Sequence, residues 1–386
     1  MRLKTYALAL ALAGCATQLW AQQREKAIPH LDHVFLIMME NHSYSEVIGN
    51  PNAPFLNAYA KQANLATNYF GVGHPSLTNY LEVVGGSNFG VINDHSPDWH
   101  DANCSPNIVT GVPSDEATTT KICPISGAGW DAPTPAVDTS NEGTPSSPVY
   151  NDPLPAAFVQ GKTIADQLVA QGMTWKSYQE DLPPYGADRV NASDGLISNT
   201  TASEPGMPQL YAVKHNPFVY FASVQEARGD QAGRMGLENV TGFQQLFDDL
   251  KSGQVPNFSF IAPSQCHDQH GRGSSEVGPG CSVDANVIAA GDSAVATLVK
   301  AIKSSMAWQH GRNVLIIVWD ENDYGTGPNQ VVLTVDTNYA PTGVTSNVKY
   351  NHFSLLKTLD AGFGLPYLNH AADQNVKLMS DLFGAQ

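Results

Sequence analysis

The 386-residue chain carries 20 Lys and Arg against 36 Asp and Glu, a net charge of −16. That balance excludes a nucleic-acid backbone or an anionic membrane surface as the main partner, and no basic stripe argues otherwise. The length is ample for a substantial buried core. An acidic protein that handles an anionic substrate needs its positive charge locally, and a bound metal ion is the simplest source.

Residues 1–21 have the character of an export signal: Arg2 and Lys4, an apolar run over 7–13, then small residues. Two exits are open. Leu12-Ala13-Gly14-Cys15 is similar to a lipoprotein lipobox, and Trp20-Ala21 precedes an ordinary cleavage position. Either route predicts a secreted or periplasmic protein, with a lipid anchor in the first case. Removing Cys15 leaves Cys104, Cys123, Cys266 and Cys281, an even number in a compartment where disulfides persist. The local pairs Cys104–Cys123 and Cys266–Cys281 close short Gly-, Pro- and Ser-rich loops and are the favoured pairing. A zinc site would need CxxC-like spacing, which is absent.

Strand-length apolar runs fall at 33–39, 218–224, 258–262, 314–319 and 331–335, bounded by Gly, Pro, Asn or Asp. Helical periodicity appears at 163–170, 289–308 and 353–361, with Val295, Leu298, Ile302 and Met306 on one face of the second. Buried strands alternating with amphipathic helices predict an α/β sheet covered on both faces, with its chemistry at the strand ends. Residues 28–386 are expected to form a single domain. The stretch 96–155 lacks periodicity and reads as a long disulfide-pinned loop insertion.

Two apolar runs stop abruptly in ligand-type side chains. The first ends Glu40-Asn41-His42-Ser43, the second Asp320-Glu321-Asn322-Asp323. A polar turn explains the first equally well, and acidic turns also follow strands by chance. Adjacent acids at the mouth of a buried strand are nevertheless expensive unless paired or metal-bound. Oxygen ligands from Glu40, Asn41 and Asp320 or Glu321 suit a hard or borderline divalent ion, Zn, Ca, Mn or Fe. In Gly71-Val72-Gly73-His74-Pro75-Ser76-Leu77-Thr78-Asn79-Tyr80, a glycine-bearing turn enters a helix. There Ser76 is either an N-cap or a group beside helix-start N–H donors that favour phosphate. His215, the run Cys266-His267-Asp268-Gln269-His270, and His352 lie at polar ends of elements.

Six motifs (ENHSY, GHPSLTNYL, KHNPFVYF, FIAPSQCHDQH, VWDEND and NHFSLLKTL) stand in the order seen in the bacterial phosphoesterase family of acid phosphatases, phosphatidylinositol-3-phosphatases and phosphatidylcholine-type phospholipases C. The resemblance spans 32–366. It implies an alkaline-phosphatase-like fold, a three-layer α/β sandwich with a mostly parallel central sheet. It further implies Ser76 as nucleophile and metal ligand, with Glu40, Asn41, Asp268, Asp320 and Glu321 as further ligand positions. His215, His270 and His352 become active-site histidines, and the expected partner is a small phosphate ester or phospholipid. The expected chemistry is a phosphomonoesterase working through phosphoserine. Backbone N–H groups near Ser76 would receive the phosphate, Lys214 would add charge at the pocket edge, and protonated histidines would favour acidic pH. A phospholipase C-type phosphodiesterase is the enzymatic alternative, weakened because Asp320-Glu321-Asn322-Asp323-Tyr324-Gly325 lacks the Gly-Gly and histidine often found in that branch. A non-catalytic surface binding protein has no need of Ser76 beside Glu40 and Asp320.

Overall fold

The computed structural model describes residues 27–91, 94, 159–182, 211–271, 286–323 and 328–384. The signal segment with Cys15, the whole 96–155 insertion with Cys104 and Cys123, and Cys281 lie outside the described residues. Cys266 is buried and takes part in a disulfide.

Among the described residues, nine strands form one sheet: β1 (His33–Met39), β2 (Asn64–Phe70), β3 (Trp175–Gln179), β4 (Val240–Gly242), β5 (Phe258–Ala262), β6 (Asn313–Trp319), β7 (Gln330–Thr337), β8 (Thr345–Ser346) and β9 (Tyr350–Asn351). Their order is β4-β3-β5-β1-β6-β7-β2-β8, with β9 also on β2. From β4 through β6 all neighbours run parallel, and β7 is antiparallel to both β6 and β2. Strands β1, β5 and β6 are almost wholly buried, as a parallel sheet covered on both faces requires. The helices gather into two sets. Ser76–Gly85 packs on His352–Phe363 and Ile164–Ala170, while Pro54–Gln62 packs on Val287–Ser304. The result is the expected mixed α/β architecture with a mostly parallel sheet.

Two expectations need correction. The apolar run 218–224 is no strand: Pro217–Tyr220 is a 3₁₀ turn and Ala222–Gln225 a short helix. Pro217 at the first turn favours that conformation, and Phe218 is buried against Trp175 and Phe260 as a core plug. The segment 289–308 is two helices, because Ser305 turns extended and its hydroxyl accepts from the Trp308 N–H, starting Met306–Gln309.

One buried acid in the His352–Phe363 helix gives a stability test. Asp360 in the His352–Phe363 helix accepts from the Leu368 N–H at a long 3.4 Å, and its Oδ1 has no hydrogen-bond partner among the described residues. Burial holds its pKa well above the usual aspartate range. The folded state therefore binds the proton more tightly than the unfolded state, so stability falls as pH rises from about 4 through the raised value. Asp360→Asn is expected to stabilise the protein by roughly 1–3 kcal/mol at pH 8. The gain should vanish below about pH 4, which paired thermal melts at the two pH values check.

Candidate active site

Strand register builds the site. Met39 pairs with Trp319 and Ile37 with Ile261, so the residues just past β1, β5 and β6 emerge side by side at one sheet edge, about 4.8 Å per strand. Glu40 donates its N–H to the Asp268 carbonyl at 2.9 Å, and Asp320 donates to the Met39 carbonyl at 3.0 Å. Asn41 takes a left-handed φ of 54°, which asparagine tolerates, and its N–H donates to Asp320 Oδ1 at 3.0 Å. Gly71 runs so close behind Asp320 that a Cβ there would stand 2.5 Å from the Asp320 carbonyl oxygen.

Ser76 opens the Ser76–Gly85 helix, whose every residue is buried. Its hydroxyl donates to Glu40 Oε2 at 3.0 Å and approaches Glu321 Oε1 at 3.4 Å. Asn79, one turn later on the same helix face, donates to Glu321 Oε2 at 3.0 Å. It also closes the Gly73 turn, accepting from the Val72 and Gly73 N–H groups and donating to the Gly73 carbonyl. His74 Nδ1 lies 2.9 Å from Glu321 Oε2, and burial pushes this imidazole down to about 4.

His215 joins two of the acids: Nε2 is 3.0 Å from Glu40 Oε1 and Nδ1 is 3.2 Å from Asp268 Oδ2. Its ring stacks on Tyr80 at 5.2 Å and lies 6.1 Å from His270. His270 is half-buried, donating its backbone N–H to Asp268 Oδ1 and placing Nδ1 2.7 Å from the Gly271 carbonyl. His352 is behind the site. A carbonyl only accepts, so Nε2 donates to the Asp320 carbonyl at 2.6 Å, and Nδ1 accepts from Tyr69 Oη at 2.8 Å. With both nitrogens engaged and its pKa held at about 4 by burial, His352 steadies the Asp320 backbone. His267 is likewise tied, with Nδ1 2.8 Å from Glu180 Oε1, and that carboxylate raises its pKa against the opposing effect of burial.

The sequence expectations thus come together around Ser76, Glu40, Asp320, Glu321, His215 and Asp268. Three details differ. The Leu77 N–H already donates to Asp94 Oδ1 at 3.0 Å and the Thr78 N–H to the Pro75 carbonyl, so two of the helix-start donors expected to receive phosphate are taken within the protein. Lys214 is 1% exposed and paired with Asp94, not at a pocket edge. His74 and His352, held at about 4, give no support to an acidic optimum set by their protonation. Asn79, His74 and Asp94 were not singled out from sequence; only the i, i+3 spacing of Ser76 and Asn79 carried a signal.

The electrostatics bear on the expected metal. Burial, and then mutual repulsion, pushes Glu40 and Glu321 well above the carboxylate range, and burial likewise raises Asp268. Burial moves Asp320 up to about 7. Asn41 Oδ1 and Asp320 Oδ2 are buried with no hydrogen-bond partner among the described residues. Crowded acids with idle oxygens are what a hard divalent cation neutralises. Among the described residues, no three His, Cys, Asp or Glu already stand as a metal-holding cluster. Asn41 and Ser76 add an amide and a hydroxyl oxygen to the acids, and the fit rests on donor chemistry.

A model of the Phosphoesterase family matches residues 50–366. The chain is 25% identical over 342 residues to the phosphate-repressible acid phosphatase of Penicillium chrysogenum, covering 87% of this chain and 60% of that protein. It is 24% identical over 360 residues to the phosphatidylinositol-3-phosphatase of Mycobacterium tuberculosis, covering 93% and 85%. The chain therefore spans less than two thirds of the first relative's length. Among solved structures, the phosphonate monoester hydrolase of Agrobacterium radiobacter aligns with a TM-score of 0.46 at 12% identity, covering 92% of this chain and 78% of that one. With its family model matched over most of its length, the chain belongs to the Phosphoesterase family.

Proposed function

We propose that the protein is an exported, metal-dependent phosphomonoesterase of acid-phosphatase type that works through a phosphoserine. The observation that carries this reading is the buried Ser76 hydroxyl, hydrogen-bonded to Glu40 at the shared end of two parallel strands. An N-cap serine would turn its oxygen to helix N–H groups; this one donates to an acid.

Glu40, Asn41, Asp320 and Glu321, with the Ser76 oxygen, would hold the divalent ion. When bound, it supplies positive charge that lowers the hydroxyl pKa and offsets the substrate's negative charge. Ser76 Oγ attacks phosphorus in line, and Glu40 Oε2 accepts the hydroxyl proton across 3.0 Å. Asn79 and His74 hold Glu321, and His215 keeps Glu40 and Asp268 apart at fixed distances. The leaving group departs opposite Ser76 as an alkoxide that takes its proton from solvent. Water then attacks the phosphoserine, with His215 or His270 taking the water proton while Glu40 returns the first proton to Ser76 Oγ, and inorganic phosphate leaves with net retention at phosphorus.

The named activities of the acid phosphatase and phosphatidylinositol-3-phosphatase relatives support a monoester substrate, phosphoinositides included. The test is p-nitrophenol release from p-nitrophenyl phosphate and from bis(p-nitrophenyl) phosphate, before and after EDTA, with Zn, Ca, Mn or Fe added back. Monoester hydrolysis lost to EDTA and restored by one of these ions is expected. Preference for the bis-ester would replace this reading with the phospholipase C-type diesterase, and undiminished activity after EDTA would remove the metal.

A further inference from the structure

Asp94 has no part in the chemistry above, yet it is 4% exposed and makes two charged contacts beside it. Its Oδ1 accepts from the Leu77 N–H at 3.0 Å, and its Oδ2 lies 3.0 Å from Lys214 Nζ. Leu77 follows Ser76, and Lys214 precedes His215 in the turn Val213–His215. One carboxylate therefore ties the start of the nucleophile helix to the turn that presents His215 to Glu40 and Asp268.

Capping alone does not call for this arrangement. A serine or asparagine satisfies a helix-start N–H without burying an ion pair, and burying one brings a desolvation penalty that its attraction need not repay. The charge has a use if the neighbouring anion matters. A helix-start N–H and a buried ammonium are the two donors a phosphate beside Ser76 would otherwise take, and Asp94 engages both. Lys214 is also within electrostatic reach of Glu40, Asp268 and Glu321, lowering each.

We propose that Asp94 is a positioning residue: by holding the Leu77 N–H and Lys214 it fixes Ser76 against His215, and it denies inorganic phosphate those two donors, so that the product binds weakly. Binding energy withheld from the ground state and from product leaves turnover faster. The inference rests on Ser76 being the nucleophile.

The experiment compares Asp94→Asn with the wild type for turnover of p-nitrophenyl phosphate, competitive inhibition by inorganic phosphate, and thermal midpoint. Asparagine keeps an acceptor for Leu77 but removes the carboxylate charge 3.0 Å from Lys214 Nζ. The expected result is a split: kcat falls about tenfold as Ser76 loses its fixed geometry, while the phosphate Ki falls about threefold or more, that is, binding tightens. A residue that only holds the fold would lower kcat and the melting point and leave Ki alone; an unchanged or raised Ki overturns the proposal. Should Asp94→Asn fail to fold, Asp94→Asn with Lys214→Met leaves no buried charge in the pair. There kcat is again expected to be reduced with Ki at or above the wild-type value, and a Ki below it overturns the proposal. Ser76→Ala in parallel separates the two readings: its continued activity defeats the nucleophile assignment itself, whereas an inactive Ser76→Ala beside an unchanged Ki in Asp94→Asn defeats only the role of Asp94.

Discussion

Ser76→Ala is expected to lower turnover of p-nitrophenyl phosphate by roughly ten-thousand-fold or more, the scale on which removing a nucleophile acts in serine-dependent hydrolases. The fold should persist. Ser76 is 2% exposed and begins a helix whose core face is supplied by Leu77, Tyr80, Leu81 and Val84, and alanine removes one oxygen from it. What is lost is a donor to two carboxylates, at a stability cost of about 1–2 kcal/mol. Inorganic phosphate should still bind, because Glu40, Asn41, Asp320 and Glu321 remain to hold the ion proposed to meet its charge. Acid-quenched wild-type enzyme should carry phosphate on the Ser76 peptide and the variant none. Residual turnover within tenfold of wild type, or phosphate trapped on a different residue, would rule Ser76 out.

The parts of this site that were legible in sequence are those written as contrast along the chain. Six or seven apolar residues running directly into Glu40-Asn41 or Asp320-Glu321 cannot place those acids in solvent if both strands are buried in a parallel sheet, and β1 and β6 are. Illegible was what depends on pairing at long sequence separation. That Met39 stands opposite Trp319 follows from register, and register is set by the whole sheet. Strand β3, Trp-Lys-Ser-Tyr-Gln, was missed because it is neither an apolar run nor a strict alternation, its polar residues falling at 176, 177 and 179, yet it carries Glu180 to the site's flank. Strand β2 was missed because it runs antiparallel to β7 with partly exposed side chains. The run 218–224 was misread because a short apolar stretch fits a buried turn as well as a strand. Lys214 and Asp94, 120 positions apart, leave no local trace of their pairing.

Glu40→Gln should move activity and stability in opposite directions. Turnover is expected to fall by about a hundred- to a thousandfold, because glutamine fits the same space and can still accept from Ser76 Oγ but cannot take its proton or contribute charge to a bound cation. The EDTA-treated protein should at the same time become more stable, by about 1–3 kcal/mol. Glu40 is fully buried, and its ionised form is opposed first by desolvation and then by the charges of Asp320, Asp268 and Glu321, with Lys214 pulling the other way. Removing that charge relieves the crowding which, in the wild type, a divalent cation would relieve instead. Added cation should therefore raise the wild-type melting temperature more than that of Glu40→Gln. Thermal melts with and without the ion, read beside p-nitrophenyl phosphate turnover, check both halves. If activity and cation-free stability fall together, Glu40 is a structural acid held by His215, and the proton acceptor for Ser76 has to be sought at Glu321, 3.4 Å away.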